Sequence, residues 1–425
     1  MNPQLSDCAA FVGIDWADDH HDYCLFDPAT GERQQGRFDQ TPEALNEWIN
    51  RLRERFSGRP VVVCLEQSRG PLIYALMAHA FFVLYPINPK TLAKYREAFT
   101  PSRAKDDPTD ADLLCELVTQ HRERLTAWKP DDAQTRQLAA LCEQRRHVVD
   151  VRTQLIQQVT AALKCYFPQA LAWSGSELHT LMAAEFLLKW PTLESVQCAK
   201  AQTLRTFYYV HNCRSETLIQ ERLEQIRTAR PLTTDPAIVE PLALTVQTLA
   251  RLLRDLYTAI AEYDRQIRAL FRQHPDAFLF DRLPGAGAQL GPRLLVAFGA
   301  DRDRYQEAAD LQTFSGIAPV LERSGKQTWI HWRWQRPVFL SQTFYEFAQK
   351  SIEFSAWAGA YYRLQQTRGK SKHASIRALA FKWIRVLFRC WQERRPYDEA
   401  LYLAALKQHG SPLLAYMAQT APAAL

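Results

Sequence analysis

Two acidic residues in the first seventy positions end apolar runs that are typical of buried strands. Asp15 ends the run FVGID, and Glu66 ends the run VVVCLE. A carboxylate at the end of a buried strand is costly unless water, a hydrogen-bonding partner or a metal ion stabilises it. If the two strands are neighbours, their carboxylates offer the oxygen ligands that Mg²⁺ or Mn²⁺ prefers. Each residue alone is also compatible with an ordinary hydrogen-bonded strand end.

A cluster of aspartates follows a third predicted strand. The stretch SRAKDDPTDADLL places Asp106, Asp107, Asp110 and Asp112 within seven residues. Asp107-Pro108-Thr109-Asp110 fits a helix cap followed by proline at the first helical position and an acid at the third. Capping needs only one or two aspartates, so the crowding of like charges also favours a bound divalent cation. Two such ions about 4 Å apart can activate an attacking oxygen and stabilise a leaving oxygen in phosphodiester chemistry.

Two serines precede glycines in the last third of the chain, Ser315 in FSGIAP and Ser324 in RSGK. A serine before glycine is most often a turn residue, so residue chemistry alone assigns it no catalytic role. A nucleophilic serine needs a base for its proton and donors for the phosphate oxyanion, and Arg323 and Lys326 flank Ser324. Upstream, LPGAGAQLGPRLLVAFG is typical either of a phosphate-binding helix-hairpin-helix or of a tight turn between packed helices.

The segment from Arg363 to Arg395 is strongly basic, with ten Lys or Arg residues against one acid, Glu393. Aromatic residues are interleaved with the basic ones, as on surfaces that follow a nucleic acid backbone. Within the predicted helix SIRALAFKWIRVLFRCW, four basic positions lie off the apolar face and are the candidate nucleic-acid contacts: Arg377, Lys382, Arg385 and Arg389. A solvated basic helix is the alternative.

The elements that must position these residues change character along the chain. Up to about residue 125, short apolar strands alternate with helices, which predicts a sheet covered on its faces. One of these helices is predicted to start at Pro42, with Thr41 as its cap. Beyond about Trp128 the pattern is helical. A heptad stripe from Leu242 to Leu270 predicts a coiled coil, a long helical hairpin or a bundle within one chain.

Composition excludes several classes of protein. With 47% hydrophobic and 23% charged residues in a chain of 425, we expect a globular protein with two or three domains. The nine cysteines form no CxxC pair, which excludes a zinc ribbon and a dithiol redox motif and indicates reduced core thiols. A net charge of +6 with abundant aromatic residues suits a polyanionic partner. We expect neither a signal peptide nor a membrane span.

In their order along the chain, GIDW, CLEQSRG, AKDDPTDADLL, SGIAP and RSGK resemble motifs of the DEDD family of insertion-sequence transposases. The resemblance implies a serine nucleophile that becomes covalently joined to DNA. The motif assigns this role to Ser324, with Ser315 the less favoured candidate. The resemblance also implies a RuvC-like (RNase H-like) N-terminal domain with an acidic tetrad that binds Mg²⁺ or Mn²⁺. The implied tetrad is Asp15, Glu66, Asp107 and Asp110.

The resemblance further implies partners and surroundings. These are donor and target DNA, a structured noncoding bridge RNA that guides the reaction, and homo-oligomers from dimer to tetramer, assembled partly through the coiled coil. Such a protein acts in the cytoplasm of a prokaryotic cell and is nucleoid-associated when active.

The predicted fold class is multidomain α/β plus α. A RuvC-like catalytic domain (1–127) precedes a helical coiled-coil region (128–275). A mainly helical transposase domain with the serine, the glycine turn and the basic surface (276–396) precedes a C-terminal helix and tail (397–425). Residues 165–235 receive no role.

The expected function is that of a DNA transposase or recombinase of an insertion sequence, working through a phosphoserine intermediate. The alternatives are a RuvC-like nuclease that uses metal-activated water and a non-catalytic nucleic-acid-binding scaffold.

Overall fold

The chain divides into two compact units, Met1–Pro130 and Asp131–Leu425. The first contains a mixed sheet and the second is mainly helical, so the predicted α/β plus α class is confirmed. The computed structural model describes the following residues, apart from the side chains of residues 99, 107, 108 and 420: 8–66, 69–99, 107–175, 177–325 and 327–420. Among the described helices, none combines the length and apolar character needed to cross a lipid bilayer.

Five strands form the sheet of the first unit: β1 Ala10–Trp16, β2 His20–Phe26, β3 Arg33–Asp39, β4 Val61–Leu65 and β5 Phe82–Pro86. Their order is β3-β2-β1-β4-β5, with β2 antiparallel to both of its neighbours and β1, β4 and β5 parallel. The sequence does not predict β3, because this edge strand is mostly polar and only Phe38 among its residues is buried.

Four helices cover the sheet: α1 Pro42–Arg55, α2 Pro71–Leu76, α3 Pro89–Phe99 and α4 Asp107–His121. α1 starts as predicted, because the Thr41 hydroxyl accepts a hydrogen bond from the Ala44 amide and Pro42 occupies the first turn. Residues of α1 and α2 form a core on one face of the sheet, and residues of α3 and α4 form a core on the other. The sheet is therefore covered on both faces.

α4 lies directly on β1 at Gly13. A Cβ atom at this position would lie 2.1 Å from the Ala111 carbonyl oxygen and 2.3 Å from the Cys115 amide nitrogen. Only glycine therefore permits the two backbones to approach this closely. Because successive side chains of a strand point to opposite faces, Asp15 lies on the same face as Gly13, the face that α4 covers.

Two long antiparallel helices run through the second unit, α5 Ala133–Tyr166 and α11 Pro236–Gln273. The start of α5 shares one core with the end of α11, and the end of α5 shares another core with the start of α11. Alternate positions of the predicted heptad stripe are the buried ones: Val246, Leu253, Ile260 and Ile267. The stripe therefore forms a long helical hairpin within the chain, which is one of the three predicted alternatives.

Five short helices connect the long ones: α6 Ala170–Trp173, α7 Leu181–Lys189, α8 Leu193–Gln197, α9 Ala201–Val210 and α10 Glu216–Thr228. They surround an aromatic core that includes Trp173, Trp190 and Tyr208. The segment for which the sequence suggests no role is thus a folded helical layer. Its helices are too short to give a regular apolar period.

The rest of the second unit contains seven helices and one hairpin within the described residues. The helices are α12 Gly287–Phe298, α13 Ala308–Phe314, α14 Val338–Phe354, α15 Ala356–Thr367, α16 Lys372–Glu393, α17 Glu399–Gln408 and α18 Pro412–Thr420. The strands β6 Val320–Ser324 and β7 Gln327–His331 form an antiparallel hairpin that the sequence does not predict. Nearly all of its residues are exposed, so no alternating burial marks it.

Gly13→Ala should lower the free energy of unfolding by about 3 kcal/mol, because the added Cβ overlaps the α4 backbone. Urea denaturation of the full chain, followed by circular dichroism, measures this loss. Gly58→Ala is the control, since it places a Cβ in open space and costs about 1 kcal/mol for its left-handed φ. Equal losses in the two variants would contradict the close approach of α4 to β1.

Candidate active site

Asp15 and Glu66 lie at the ends of neighbouring parallel strands. β1 and β4 pair with Ile14 opposite Leu65, so the residues that follow them, Asp15 and Glu66, are adjacent across the sheet. Cys64 belongs to the core beneath α4, and side-chain alternation puts Glu66 on the same face. Asp15 is 9% exposed and Glu66 is half-buried. The register thus brings the two predicted strand-end carboxylates to one place under α4.

Asp110 lies in the first turn of α4 and is 1% exposed. Arg96 of α3 holds its carboxylate in a fork: Nε donates to Oδ1 at 2.7 Å, and Nη2 donates to Oδ2 at 2.5 Å. This ion pair satisfies one lone pair on each oxygen. A cation at Asp110 must therefore displace Arg96 or use the remaining lone pairs.

The other aspartates of the cluster are only partly described. α4 is described from Asp107 onward, but the Asp107 side chain and the whole of Asp106 lie outside the described residues. Asp112 pairs with Arg33 of β3 at 2.6 Å. Within the part of the chain that the structure describes, no three His, Cys, Asp or Glu side chains form a group that could hold a metal ion. Asp15 and Glu66 nevertheless supply the oxygen donors that suit Mg²⁺ or Mn²⁺.

A further carboxylate on this face is one that the sequence does not predict. Asp22 of β2 lies directly opposite Asp15 in the antiparallel pair and is 6% exposed. Arg37 donates to both Asp22 oxygens, at 3.0 and 3.1 Å, and His20 Nε2 lies 3.6 Å from Oδ2. The Arg37 guanidinium offsets the repulsion between the facing carboxylates. The signal in the sequence is side-chain alternation along β2, which puts Asp22 on the face of the buried Cys24.

The Cys64 thiol lies in the core beneath the acidic face. Burial raises the pKa of the Cys64 thiol, and the neighbouring Cys115 and Glu66 raise it further. The thiolate is the metal-binding form of cysteine, so this shift favours the carboxylates of Asp15 and Glu66 over Cys64 as ligands.

Ser324 lies at the tip of the β6–β7 hairpin, opposite Gln327 and before Gly325, whose φ is +57°. This left-handed backbone conformation is typical of a two-residue hairpin turn. Ser324 is exposed, whereas Ser315 is fully buried and its hydroxyl donates to the Gln312 carbonyl at 3.3 Å. Of the two candidate serines, Ser324 is the one that a DNA strand can reach.

The surroundings of Ser324 follow from the alternation of side chains along β6. Glu322 lies on the same face of the hairpin as Ser324, and Arg323 lies on the opposite face. Lys326 lies outside the described residues. No described residue of the second unit makes a side-chain hydrogen bond with the Ser324 hydroxyl. No described residue of the hairpin is therefore in place as a hydrogen-bonded base for the serine proton.

Three of the basic positions predicted on α16 lie on one side of the helix but differ in solvent exposure. Arg385 is exposed, and Arg389 is exposed and pairs with Glu393 at 2.8 Å. Lys382 is half-buried, with Nζ 4.8 Å from the centre of the Tyr361 ring. Burial lowers the pKa of Lys382, and the nearby Arg385 lowers it further. Two of these three side chains are thus directed to solvent.

The fourth predicted basic position, Arg377, lies on another side of α16, because about 100° separates successive residues of a helix. Its guanidinium carbon lies 3.7 Å from the centre of the Trp332 ring, next to the hairpin. The four positions therefore do not form a single surface.

For the glycine turn before α12 the sequence predicts either a phosphate-binding helix-hairpin-helix or a tight turn between packed helices, and its two glycines have different surroundings. Gly285 and Gly287 have φ values of +78° and +55°. A Cβ at Gly285 would lie 3.0 Å from the Lys350 backbone, so this glycine serves close packing on α14. No described atom lies within 4 Å of a Cβ at Gly287, which faces open space. The element before the turn is a 3-10 turn, Ala277–Leu279, rather than an α-helix.

Family models match the two parts of the chain that carry the acidic residues and the two serines. Residues 12–168 match the DEDD-type IS110 model, described as a transposase. Residues 277–363 match a model described as a transposase of the IS116/IS110/IS902 family. The chain belongs to the IS110 family of insertion-sequence transposases.

Relatives from several bacteria share most or part of this IS110-family chain. The candidate transposase of the IS117 mini-circle of Streptomyces coelicolor is 28% identical over 404 residues, covering 94% of this chain and 97% of the relative. A protein of insertion element IS116 from Streptomyces clavuligerus is 26% identical over 396 residues, covering 92% and 96%. The pilin gene-inverting protein of Moraxella bovis is 28% identical over 162 residues, covering 35% and 48%. The predicted class of enzyme, a DNA transposase or recombinase, is thereby confirmed.

Arg96→Ala should lower the free energy of unfolding by about 3 kcal/mol, because it leaves the buried Asp110 carboxylate unpaired. Arg51→Ala is the matched control, since Arg51 pairs with Glu47 on the exposed surface and its loss should cost less than about 1 kcal/mol. If Asp110 binds a cation, millimolar Mg²⁺ should recover more stability in Arg96→Ala than in the wild type. An Arg96→Ala variant as stable as the control would refute this role of the ion pair.

A second prediction concerns His331 of the hairpin. Its Nε2 lies 2.8 Å from Glu322 Oε1, and its Nδ1 lies 2.7 Å from the Trp332 carbonyl. Both partners only accept, so both ring nitrogens donate and the imidazole is protonated in this arrangement. The Glu322 bond and then the Trp332 carbonyl raise the pKa of His331.

The stabilisation from protonated His331 should be complete below the pKa of the unfolded chain and be lost as the pH rises through the raised folded pKa. An NMR titration of the histidine ring protons measures that pKa. Glu322→Gln should bring it back toward the ordinary histidine value. An unchanged His331 pKa in Glu322→Gln would show that the carboxylate is not its cause.

Proposed function

We propose that this IS110-family chain cuts and rejoins DNA through a covalent phosphoserine at Ser324, with Mg²⁺ or Mn²⁺ at the acidic face. The observation that carries the proposal is the register of β1 and β4, which makes Asp15 and Glu66 neighbours. The strand order β3-β2-β1-β4-β5, with β2 antiparallel, supports the RuvC-like (RNase H-like) expectation for this unit. The exposure of Ser324 and the burial of Ser315 support the choice of nucleophile.

In the proposed cleavage step, Ser324 Oγ attacks a backbone phosphorus and a serine–phosphate bond forms. The bond between phosphorus and the leaving deoxyribose oxygen breaks, the serine proton goes to a base, and the leaving oxygen gains a proton. Rejoining is the reverse step, with a deoxyribose hydroxyl as the attacking group. The number of phosphate ester bonds is unchanged throughout, so the reaction needs no external energy source.

The acidic face is proposed to hold the divalent ion through Asp15, Glu66 and Asp107, with Asp110 joining when Arg96 releases it. The bound ion would neutralise the charge that develops on the phosphate and the leaving oxygen. Asp22 is proposed to position Asp15, since it lies opposite that residue and is held by Arg37. Both groups, the acids and the serine, are assigned to one strand-transfer reaction.

Rejoining rather than hydrolysis is supported by the relatives whose printed name is pilin gene-inverting protein. Inverting a gene requires that cut strands be joined again. A covalent intermediate keeps the phosphate bond needed for that joining, whereas attack by water releases free ends.

Partners are proposed by family resemblance and by surface character. Donor and target DNA and a noncoding bridge RNA would bind along aromatic and arginine-rich surfaces of the proposed transposase domain, residues 276–396. α11 leaves Leu244, Leu252 and Tyr257 exposed, which supports a homo-oligomer, from dimer to tetramer, assembled through the helical region, residues 128–275. The proposed catalytic domain is residues 1–127, and residues 397–425 form the C-terminal segment.

Incubation of the full chain with Mg²⁺ and DNA that carries the ends of its own element should give a denaturation-resistant protein–DNA adduct on a gel. Ser324→Ala should abolish the adduct, because the attacking oxygen is lost. Ser315→Cys is the control and should retain it, since Cys fills the same buried space. Asp15→Asn should lower adduct formation at least a hundredfold, in the range of losses seen when charge stabilisation is removed.

The two alternatives give other outcomes in the same assay. DNA cleavage that persists in Ser324→Ala without any adduct would identify a nuclease that uses metal-activated water. Full activity of Asp15→Asn in a transposition assay in cells would identify a non-catalytic scaffold. Either outcome would refute the phosphoserine proposal.

A further inference from the structure

Two arginines lie against Trp332, the residue that follows the β6–β7 hairpin. The guanidinium carbon of Arg377 lies 3.7 Å from the centre of the Trp332 ring, and that of Arg336 lies 4.8 Å from it. The two carbons are therefore at most about 8.5 Å apart, since both distances end at the same ring. Arg333 follows Trp332 in the chain, and its carbonyl accepts a hydrogen bond from Arg336 Nη1 at 2.7 Å. The cluster brings two guanidinium charges to one ring, with the Arg333 backbone beside them.

No described carboxylate balances this charge. Arg333, Arg336 and Arg377 form no ion pair with any residue that the structure describes, and the buried Nε of Arg333 has no hydrogen-bond partner there. The buried Arg293 of the same unit, by contrast, pairs with Glu346 at 2.5 Å. Guanidinium groups this close repel one another, so an anion among them would stabilise the arrangement.

The Arg336 guanidinium is also held in place by hydrogen bonds. Arg336 Nε donates to Ser341 Oγ at 3.2 Å, in addition to its bond with the Arg333 carbonyl. Burial lowers the pKa of Arg377, and the charge of Arg336 acts in the same direction. A bound anion would oppose both effects. Fixed arginine forks with unused N–H donors match the oxygens of a phosphate better than a flexible lysine does.

We propose that Arg336 and Arg377 bind a backbone phosphate of a nucleic acid strand, with Trp332 as the platform that orients the guanidinium groups. The inference rests on the proposed function, because it assumes that the hairpin of Ser324 acts on nucleic acid. Trp332 directly follows β7, and the five residues from His331 to Gln327, at four steps of about 3.3 Å, extend about 13 Å to the tip. The phosphate held at this site is therefore too far from Ser324 to be the one that reacts there. The two arginines are positioning residues.

The salt dependence of nucleic acid binding tests the site in the full chain. The probes are a mixed-sequence DNA duplex and a mixed-sequence single-stranded RNA, each titrated over a range of salt concentrations by fluorescence anisotropy. Arg336→Ala with Arg377→Ala should weaken binding by about a hundredfold at moderate salt. The slope of log affinity against log salt should become shallower by about one, because the site that neutralises one phosphate is lost.

Two further variants control for charge and folding. Arg227→Ala with Arg265→Ala removes two exposed arginines of the same unit that pair with glutamates, and should leave the slope unchanged. Arg336→Lys with Arg377→Lys keeps both charges but loses the planar forks, so binding should fall about tenfold while the slope stays near that of the wild type. Circular dichroism melting identifies any variant that fails to fold.

Each outcome decides the proposal. If the alanine double variant has a shallower slope with the DNA probe alone, the bound phosphate belongs to DNA. If its slope is shallower with the RNA probe alone, the phosphate belongs to RNA, as in the proposed bridge RNA. The proposed phosphate site is refuted if the folded alanine double variant keeps the wild-type slope with both probes. It is also refuted if the control pair, Arg227→Ala with Arg265→Ala, changes the slope equally. The Ser324 adduct is assayed separately, in the wild type. Its absence from the wild type would refute the proposed function without touching the phosphate site.

Discussion

The close approach of α4 to β1 at Gly13 is the constraint on which the acidic face depends. Glycine at this position allows the helix backbone to lie against the strand, where any side chain would overlap the carbonyl of Ala111. The approach fixes the first turn of α4, with Asp110, over the end of the strand that carries Asp15. The parallel register of β1 and β4 then adds Glu66. Three acids from distant parts of the sequence are thus positioned by backbone geometry.

Concentrating carboxylates in this way carries an electrostatic cost, and arginines offset it. Arg96 donates two hydrogen bonds to the Asp110 carboxylate, and Arg37 donates two to the carboxylate of Asp22, which lies opposite Asp15. Burial of unpaired carboxylates at this density would destabilise the unit by several kcal/mol. In the second unit the imbalance has the opposite sign: the arginines against Trp332 form no ion pair with an acid that the structure describes. The first arrangement suits a cation that replaces a guanidinium, and the second suits a phosphate.

Local sequence patterns predict the buried elements but not the exposed ones. The sequence predicts the apolar runs that end at Asp15 and Glu66 and the helix cap at Thr41. At these positions burial or capping restricts which residue types are allowed. The edge strand β3 and the hairpin that carries Ser324 leave no apolar period, since most of their residues are exposed. The partnership of Arg96 with Asp110 and the position of Asp22 depend on register and on helix packing, which no local pattern encodes.

Mass spectrometry of the peptide that remains linked to DNA after protease digestion tests the central claim most directly. The same experiment tests the role of Ser324 and the role of the acidic residues. The account predicts that the linked phosphate is on Ser324, that the linkage forms only with a divalent cation, and that Asp15→Asn prevents it. Linkage to another residue, or full linkage to Ser324 in Asp15→Asn, would contradict the account.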